Sequence, residues 1–168
     1  PPPPLFFLII RRPPRSTLFP YSTLFRSILW FPGETEEQFE QLLRFVEETR
    51  FESLGVFTYS REEGTEAAGM PGQVLEQEKA RRQSRIMEAQ AAISDEINLT
   101  RIGAEEEVLI EGKTDKADFP FYGRTRFQAP EIDGITYVRA RKLTAGDIVR
   151  CKITAAEIYD LYAEKAGD

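Results

Sequence analysis

In Ile148-Val149-Arg150-Cys151-Lys152-Ile153, the residues Val149, Cys151 and Ile153 fall on one face of an extended chain, with Arg150 and Lys152 on the other. That alternation is the signature of a half-buried strand, here expected over 147–154. It also makes Cys151 a filler of the interior, since a free cysteine behaves as a small buried hydrophobe. Working outward, similar short runs cover 107–111, 122–128, 135–139 and 157–163, with turn signals at Gly112, Gly134 and Ala145-Gly146-Asp147 between them. Many short strands with regular turns predict a small closed, five-stranded OB-like antiparallel β-barrel over 101–168.

Upstream the rhythm becomes helical. Ile86, Gln90, Ile93 and Ile97 recur at helical spacing within a long helix expected over 74–99. Lys79, Arg81, Arg82 and Arg85 crowd its first half. This cluster reads as the solvated face of a linker helix, the alternative being contact with nucleic acid or an acidic surface. Before it, Thr35 with Gln38 forms a capping-box pattern, Glu36 and Glu37 sit at the positive dipole end, and Phe39, Leu42, Leu43 and Val46 make one apolar stripe. Burying each of these apolar side chains contributes about 1.5–3 kcal/mol.

The apolar runs 28–31 and 54–59 flank this first helix. Strand, helix and strand make a βαβ unit, hence a parallel pair with a right-handed crossover. Two strands leave both sheet edges open, so the unit is either the last part of a larger α/β barrel or leans on its neighbours. The loop 60–72 follows its second strand at the face where α/β barrels place their sites. The fold class is therefore α+β: a truncated α/β barrel end over 28–72, a linker helix over 73–100, and the small barrel over 101–168.

Composition narrows the function. The chain of 168 residues has one cysteine and no histidine, so it forms no internal disulfide and lacks the thiols and imidazoles of ordinary zinc or iron–sulfur sites. Its net charge is −6, and the 11 basic against 13 acidic residues of 101–168 give the barrel the wrong sign for gripping phosphates. No apolar run approaches the roughly 20 residues of a membrane span.

Residues 1–27 differ from the rest. They hold Arg11, Arg12, Arg15 and Arg26, no acid, and a proline-rich start; without them the net charge is −10. The order of charge and apolar run is wrong for a signal peptide, and a disordered proline-rich tail is the plain alternative. The stretch from Ile10 to Ser27 resembles the translation of a sequencing adapter, and 1–27 is accordingly expected to be non-native and disordered.

The segment Gly123-Arg124-Thr125-Arg126-Phe127-Gln128-Ala129-Pro130-Glu131-Ile132-Asp133-Gly134 reads as a stiff, acid-bearing loop between strands. Glu131 and Asp133 would attract a basic polypeptide. They would equally serve as turn formers, with Asp133-Gly134 at a hairpin corner; the two roles are compatible.

Together with Phe31-Pro32-Gly33-Glu34-Thr35, Gly55-Val56-Phe57-Thr58-Tyr59-Ser60, Glu63-Gly64-Thr65, Arg85-Ile86-Met87 and Tyr159-Asp160-Leu161-Tyr162, this loop resembles the C-terminal part of radical S-adenosylmethionine methylthiotransferases of the RimO type. The Ala-Pro-Glu-Ile-Asp-Gly piece selects that branch. Trp30, where the family has glycine, and Gln128, where it often has aspartate, depart from the pattern. The resemblance implies a radical-SAM barrel end over 28–72 and a TRAM domain over 101–168. In a full-length enzyme it implies two iron–sulfur clusters and S-adenosylmethionine, acting on an aspartate of a basic small-subunit ribosomal protein in the cytoplasm. Because the cluster cysteines are missing, this chain is expected to hold neither cofactor and to be inactive alone. Tyr59, Ser60 and Glu63 become candidates for the substrate pocket, against the plainer reading as loop residues without contact. Glu131 and Asp133 become candidates for docking the ribosomal protein, with nucleic acid an unlikely main ligand. The rivals are a transfer-RNA methylthiotransferase and a free-standing TRAM binding module.

Overall fold

The computed structural model describes residues 24–29, 31–129 and 133–167, which form an open α/β layer followed by a closed barrel. In the layer, β1 (Leu24–Leu29) pairs in parallel with β2 (Ser53–Thr58), and α1 (Glu36–Thr49) makes the crossover. The expected capping box is formed: Thr35 Oγ1 accepts the Gln38 N–H at 3.3 Å, and Gln38 Oε1 accepts the Thr35 N–H at 2.9 Å. Helix α1 ends where Arg50 turns left-handed and its N–H donates to the Val46 carbonyl. Strand β1 starts at Leu24, upstream of the boundary expected from sequence. A β-prone apolar run pairs with an open sheet edge whatever its origin. The rest of 1–27 lies outside the described residues.

After the short α2 (Glu66–Gly69), the helix α3 (Glu76–Thr100) packs back on the layer. Phe39, Leu43 and Val46 of α1, Leu54 and Val56 of β2, and Ile86 and Ile93 of α3 share one buried core. On the opposite side of β2, Phe57 is 55% exposed.

The barrel holds β3 (Glu105–Lys113), β4 (Phe121–Thr125), β5 (Thr136–Arg139), β6 (Ile148–Ala156) and β7 (Leu161–Lys165), in the closed order β3-β4-β5-β7-β6. Every junction is antiparallel except β5 with β7, which run parallel from Thr136↔Leu161 to Arg139↔Glu164. The expectation of an antiparallel barrel is corrected at that seam. A ring with an odd number of strands cannot alternate direction at every step, so one junction must be parallel. Inside lie Val108, Ile110, Phe121, Val138, Cys151 and Ile153, in agreement with the alternation read from 148–153.

Arg101 joins the two parts. Its guanidinium lies 3.5 Å from the Phe127 ring centroid on the barrel side and pairs with Glu52 of the layer at 3.2 Å. Beside it, Asn98 Nδ2 donates to the carbonyls of Glu157 and Ile158 at 3.2 and 3.0 Å.

Candidate functional site

The chain leaves β2 at Tyr59, whose carbonyl accepts a hydrogen bond from Lys79 Nζ at 3.0 Å. The Tyr59 ring meets Phe31 edge-on at 6.0 Å, and Lys79 Nζ lies 5.6 Å from its centroid. The Tyr59 hydroxyl is buried with no hydrogen-bond partner among the described residues. A buried hydroxyl without a partner is costly, so the Tyr59 hydroxyl is open to a further ligand or residue. Ser60 instead spends its hydroxyl on Glu62 Oε1 at 2.9 Å, and Glu63 is exposed. The structure thus sets Tyr59 apart from Ser60 and Glu63, which sit on a locally bonded turn.

The basic cluster is only in part a solvated face: Arg81 is exposed and Arg85 half-buried, but the other two members are not. Lys79 and Arg82 are only 5% and 6% exposed. Arg82 pairs with Glu34 at 3.3 Å, Glu36 at 2.8 Å and Glu78 at 2.7 Å, and both Arg82 and Arg85 lie over the Phe39 ring. The acids that follow Pro32-Gly33 are the partners of the arginines on α3. Hydrogen bonds from Arg81 and then Arg82 pull the Glu78 carboxyl down to about 2. The sequence reading missed this because arginines bury their stems and faces while their spacing still resembles a wet helix side.

On the barrel, the candidate loop is organised by its own acid. Asp133 Oδ2 accepts the Ala129 N–H at 2.7 Å, and the Asp133 N–H donates to the Ala129 carbonyl at 3.3 Å. Asp133 thus bonds back to Ala129, and the hairpin corner expected at Asp133-Gly134 is not what these bonds form. Glu131 lies outside the described residues. Gln128 is buried, and its Oε1 accepts from Thr125 N at 3.0 Å, Thr125 Oγ1 at 3.1 Å and Thr136 Oγ1 at 2.7 Å.

Cys151 is fully buried, and desolvation pushes its thiol up to about 11 against a smaller opposing pull from Lys165. It is an inert core residue. Among the described residues no group of three or more His, Cys, Asp or Glu could hold a metal ion, and no helix is long and apolar enough to cross a membrane.

Comparison with known proteins adds the decisive observation. The TRAM domain family matches residues 102–165, the whole closed barrel. The chain is 52% identical over 139 residues to the ribosomal protein uS12 methylthiotransferase RimO of Syntrophus aciditrophicus, covering 82% of the chain and 31% of that protein. It is 50% identical over 137 residues to the protein of the same name from Geobacter sulfurreducens, at 82% and 31% coverage, and 53% identical over 135 residues to that of a Thermoanaerobacter species, at 80% and 30%. The chain belongs to the RimO family. This RimO-family chain spans about a third of the length of the curated relatives it matches. Its TRAM barrel is the segment that carries the Ala-Pro-Glu-Ile-Asp-Gly loop.

Proposed function

We propose that this chain is the C-terminal part of a radical-SAM methylthiotransferase that methylthiolates an aspartate of ribosomal protein uS12, in the cytoplasm. In this reading residues 28–72 are the end of the radical-SAM barrel, 73–100 a connecting helix and 101–168 the TRAM domain, which docks the protein substrate. The observation that carries it is identity of about half with relatives bearing that name, across four fifths of the chain.

The residues present do not fit an iron–sulfur cluster. Cys151 is the one cysteine, is fully buried, and a cluster needs several thiolates. The clusters and S-adenosylmethionine are therefore assigned to the part of the relatives that this chain does not span, and the chain alone is assigned no turnover. Tyr59, with its unpartnered hydroxyl, is the best remaining candidate for the pocket wall; Ser60 and Glu63 support it less.

Docking of a basic protein is favoured over nucleic acid by the excess of acids on the barrel segment. In this proposal Glu131 and Asp133 supply the negative charge, Asp133 while bonded to Ala129. The same balance argues against a transfer-RNA substrate, and the α/β layer argues against a free-standing binding module.

A chimaera tests the activity: the N-terminal two thirds of the Syntrophus relative joined to residues 31–168, produced in cells lacking their own enzyme. The expected result is uS12 heavier by one methylthio group in intact-mass spectra; unmodified uS12 with loaded clusters would overturn the reading. In that chimaera Glu131→Lys with Asp133→Asn, which keeps the loop acceptor, should weaken uS12 binding and spare cluster loading.

A further inference from the structure

Three tyrosines line up across the outside of the barrel. Tyr122 of β4 is the register partner of Tyr137 of β5, which is the partner of Tyr162 of β7. Their sequence neighbours Phe121, Gly123, Thr136, Val138, Leu161 and Ala163 are buried, so the alternation turns all three rings outward. Tyr122 lies over Gly112, where a Cβ would meet its ring at 2.8 Å. Tyr137 and Tyr162 stack on each other, centroids 5.2 Å apart and planes 23° from parallel, and Phe119 meets Tyr162 edge-on at 5.0 Å.

This pad already holds a cation. Lys116, exposed on the β3–β4 loop, places its ammonium 3.6 Å from the Tyr137 centroid and 4.8 Å from that of Tyr162, and donates to the Tyr162 hydroxyl at 2.9 Å. The surrounding charge is acidic. Glu157 accepts the Tyr162 hydroxyl proton at 2.9 Å, and Glu164 and Asp118 pair with Arg139 at 2.9 and 3.9 Å. Stacked rings can also carry nucleobases, but that use needs cations free to meet the phosphates. Here Arg139 is committed to two carboxylates, and Glu157 adds a further negative charge.

We infer that the Tyr137–Tyr162 pad is a binding site for lysine or arginine side chains of a basic polypeptide, and that Lys116 is a built-in occupant which the partner displaces. Ring faces attract ammonium and guanidinium groups, and carboxylates at the rim discriminate for positive charge. The inference deepens the docking role proposed above and rests on it for the identity of the partner as a basic protein. It moves the main contact from the acidic loop to the outer face of β5 and β7. Lys116 would act as a threshold: a partner with a single lysine merely exchanges with it, whereas one presenting several basic side chains outcompetes it.

The test titrates the 168-residue chain with an oligolysine peptide and, separately, with single-stranded oligouridylate, following tyrosine ring and backbone NMR shifts. Lys116→Ala should tighten oligolysine binding roughly two- to five-fold, and Tyr137→Leu should weaken it by a similar factor, as expected for an exposed cation–π contact. Lys142→Ala, an equal charge change at an exposed position that makes none of the pad contacts described above, controls for general electrostatics and should have a smaller effect. Equal tightening by Lys116→Ala and Lys142→Ala would overturn the inference, as would oligouridylate binding more tightly than oligolysine. Should Tyr137→Leu fail to fold, the two lysine variants decide alone, since both change exposed side chains. Pad binding without turnover in the chimaera would remove the proposed activity and leave the pad standing; turnover without pad binding would do the reverse.

Discussion

The carbonyl of Tyr159 occupies the space where a side-chain carbon of residue 134 would sit, so glycine alone fits at Gly134. Around this contact the Ile135 N–H donates to Asp160 Oδ1 and the Leu161 N–H to the Ile135 carbonyl, each at 2.9 Å. The Ala-Pro-Glu-Ile-Asp-Gly loop and the Tyr-Asp-Leu-Tyr segment, far apart in sequence, are therefore two halves of one joint. Gly134 does not have a positive φ; close approach and not turn geometry demands it.

Gly134→Ala should accordingly lower barrel stability by about 1–3 kcal/mol, the usual cost of forcing an atom into packed space. Urea unfolding of the variant against wild type measures this. An unchanged midpoint would show that the two segments can part without loss.

Gln128 is held to be an acceptor for three donors. Gln128→Leu, which strands Thr125 and Thr136 in the interior, should cost about 2–4 kcal/mol, and Gln128→Glu, which still accepts, should cost less. Thermal melts of the two variants check the order. Leucine as the milder change would refute the acceptor role.

Cys151 makes stability fall at alkaline pH. Its thiol ionises at about 11 when folded, against an ordinary value of 9.0, so between those values the unfolded chain has released a proton that the folded chain keeps. Raising the pH through this window favours unfolding, by up to about 2–3 kcal/mol at its upper end. Measured against Cys151→Ala, wild type should lose its advantage from pH 9 to pH 11. A constant difference between the two curves would contradict the burial argument.

Glu78 acts at the opposite end. Its carboxyl is held down to about 2 in the folded state, so its contribution is complete above the ordinary value of 4.5 and disappears as pH falls toward 2. Glu78→Gln should therefore separate from wild type at neutral pH and converge with it in acid. Parallel acid-unfolding curves would exclude this role.

Much of this was legible in the chain. The capping box at Thr35, the stripe from Phe39 to Val46 and the inward face of 149–153 follow from local rules, and each stands where those rules put it. The strand ends slipped where side chains took over backbone bonding: β4 stops at Thr125 because Gln128 folds back on its N–H, and 157–160 bends as the Glu157 N–H donates to the Asp160 carbonyl. The candidate site was harder. Tyr59 could be picked out by its place after β2, but nothing in the spacing showed that Lys79 would reach its carbonyl across 20 positions of sequence. The tyrosine row was invisible for a similar reason, since neighbours across strands depend on register and not on distance along the chain.

The parallel seam between β5 and β7 also sets the order in which the barrel can assemble. Strands β3 and β4, close in sequence, can zip at once, but β5 keeps an unsatisfied edge until β7 arrives from beyond β6. Closure thus depends on two pairings between strands distant in sequence, β5 with β7 and the still longer-range β3 with β6, the kind of event that slows two-state folding. The rate at which this domain matures should track these two long-range pairings more closely than the local hairpins β3–β4 and β6–β7.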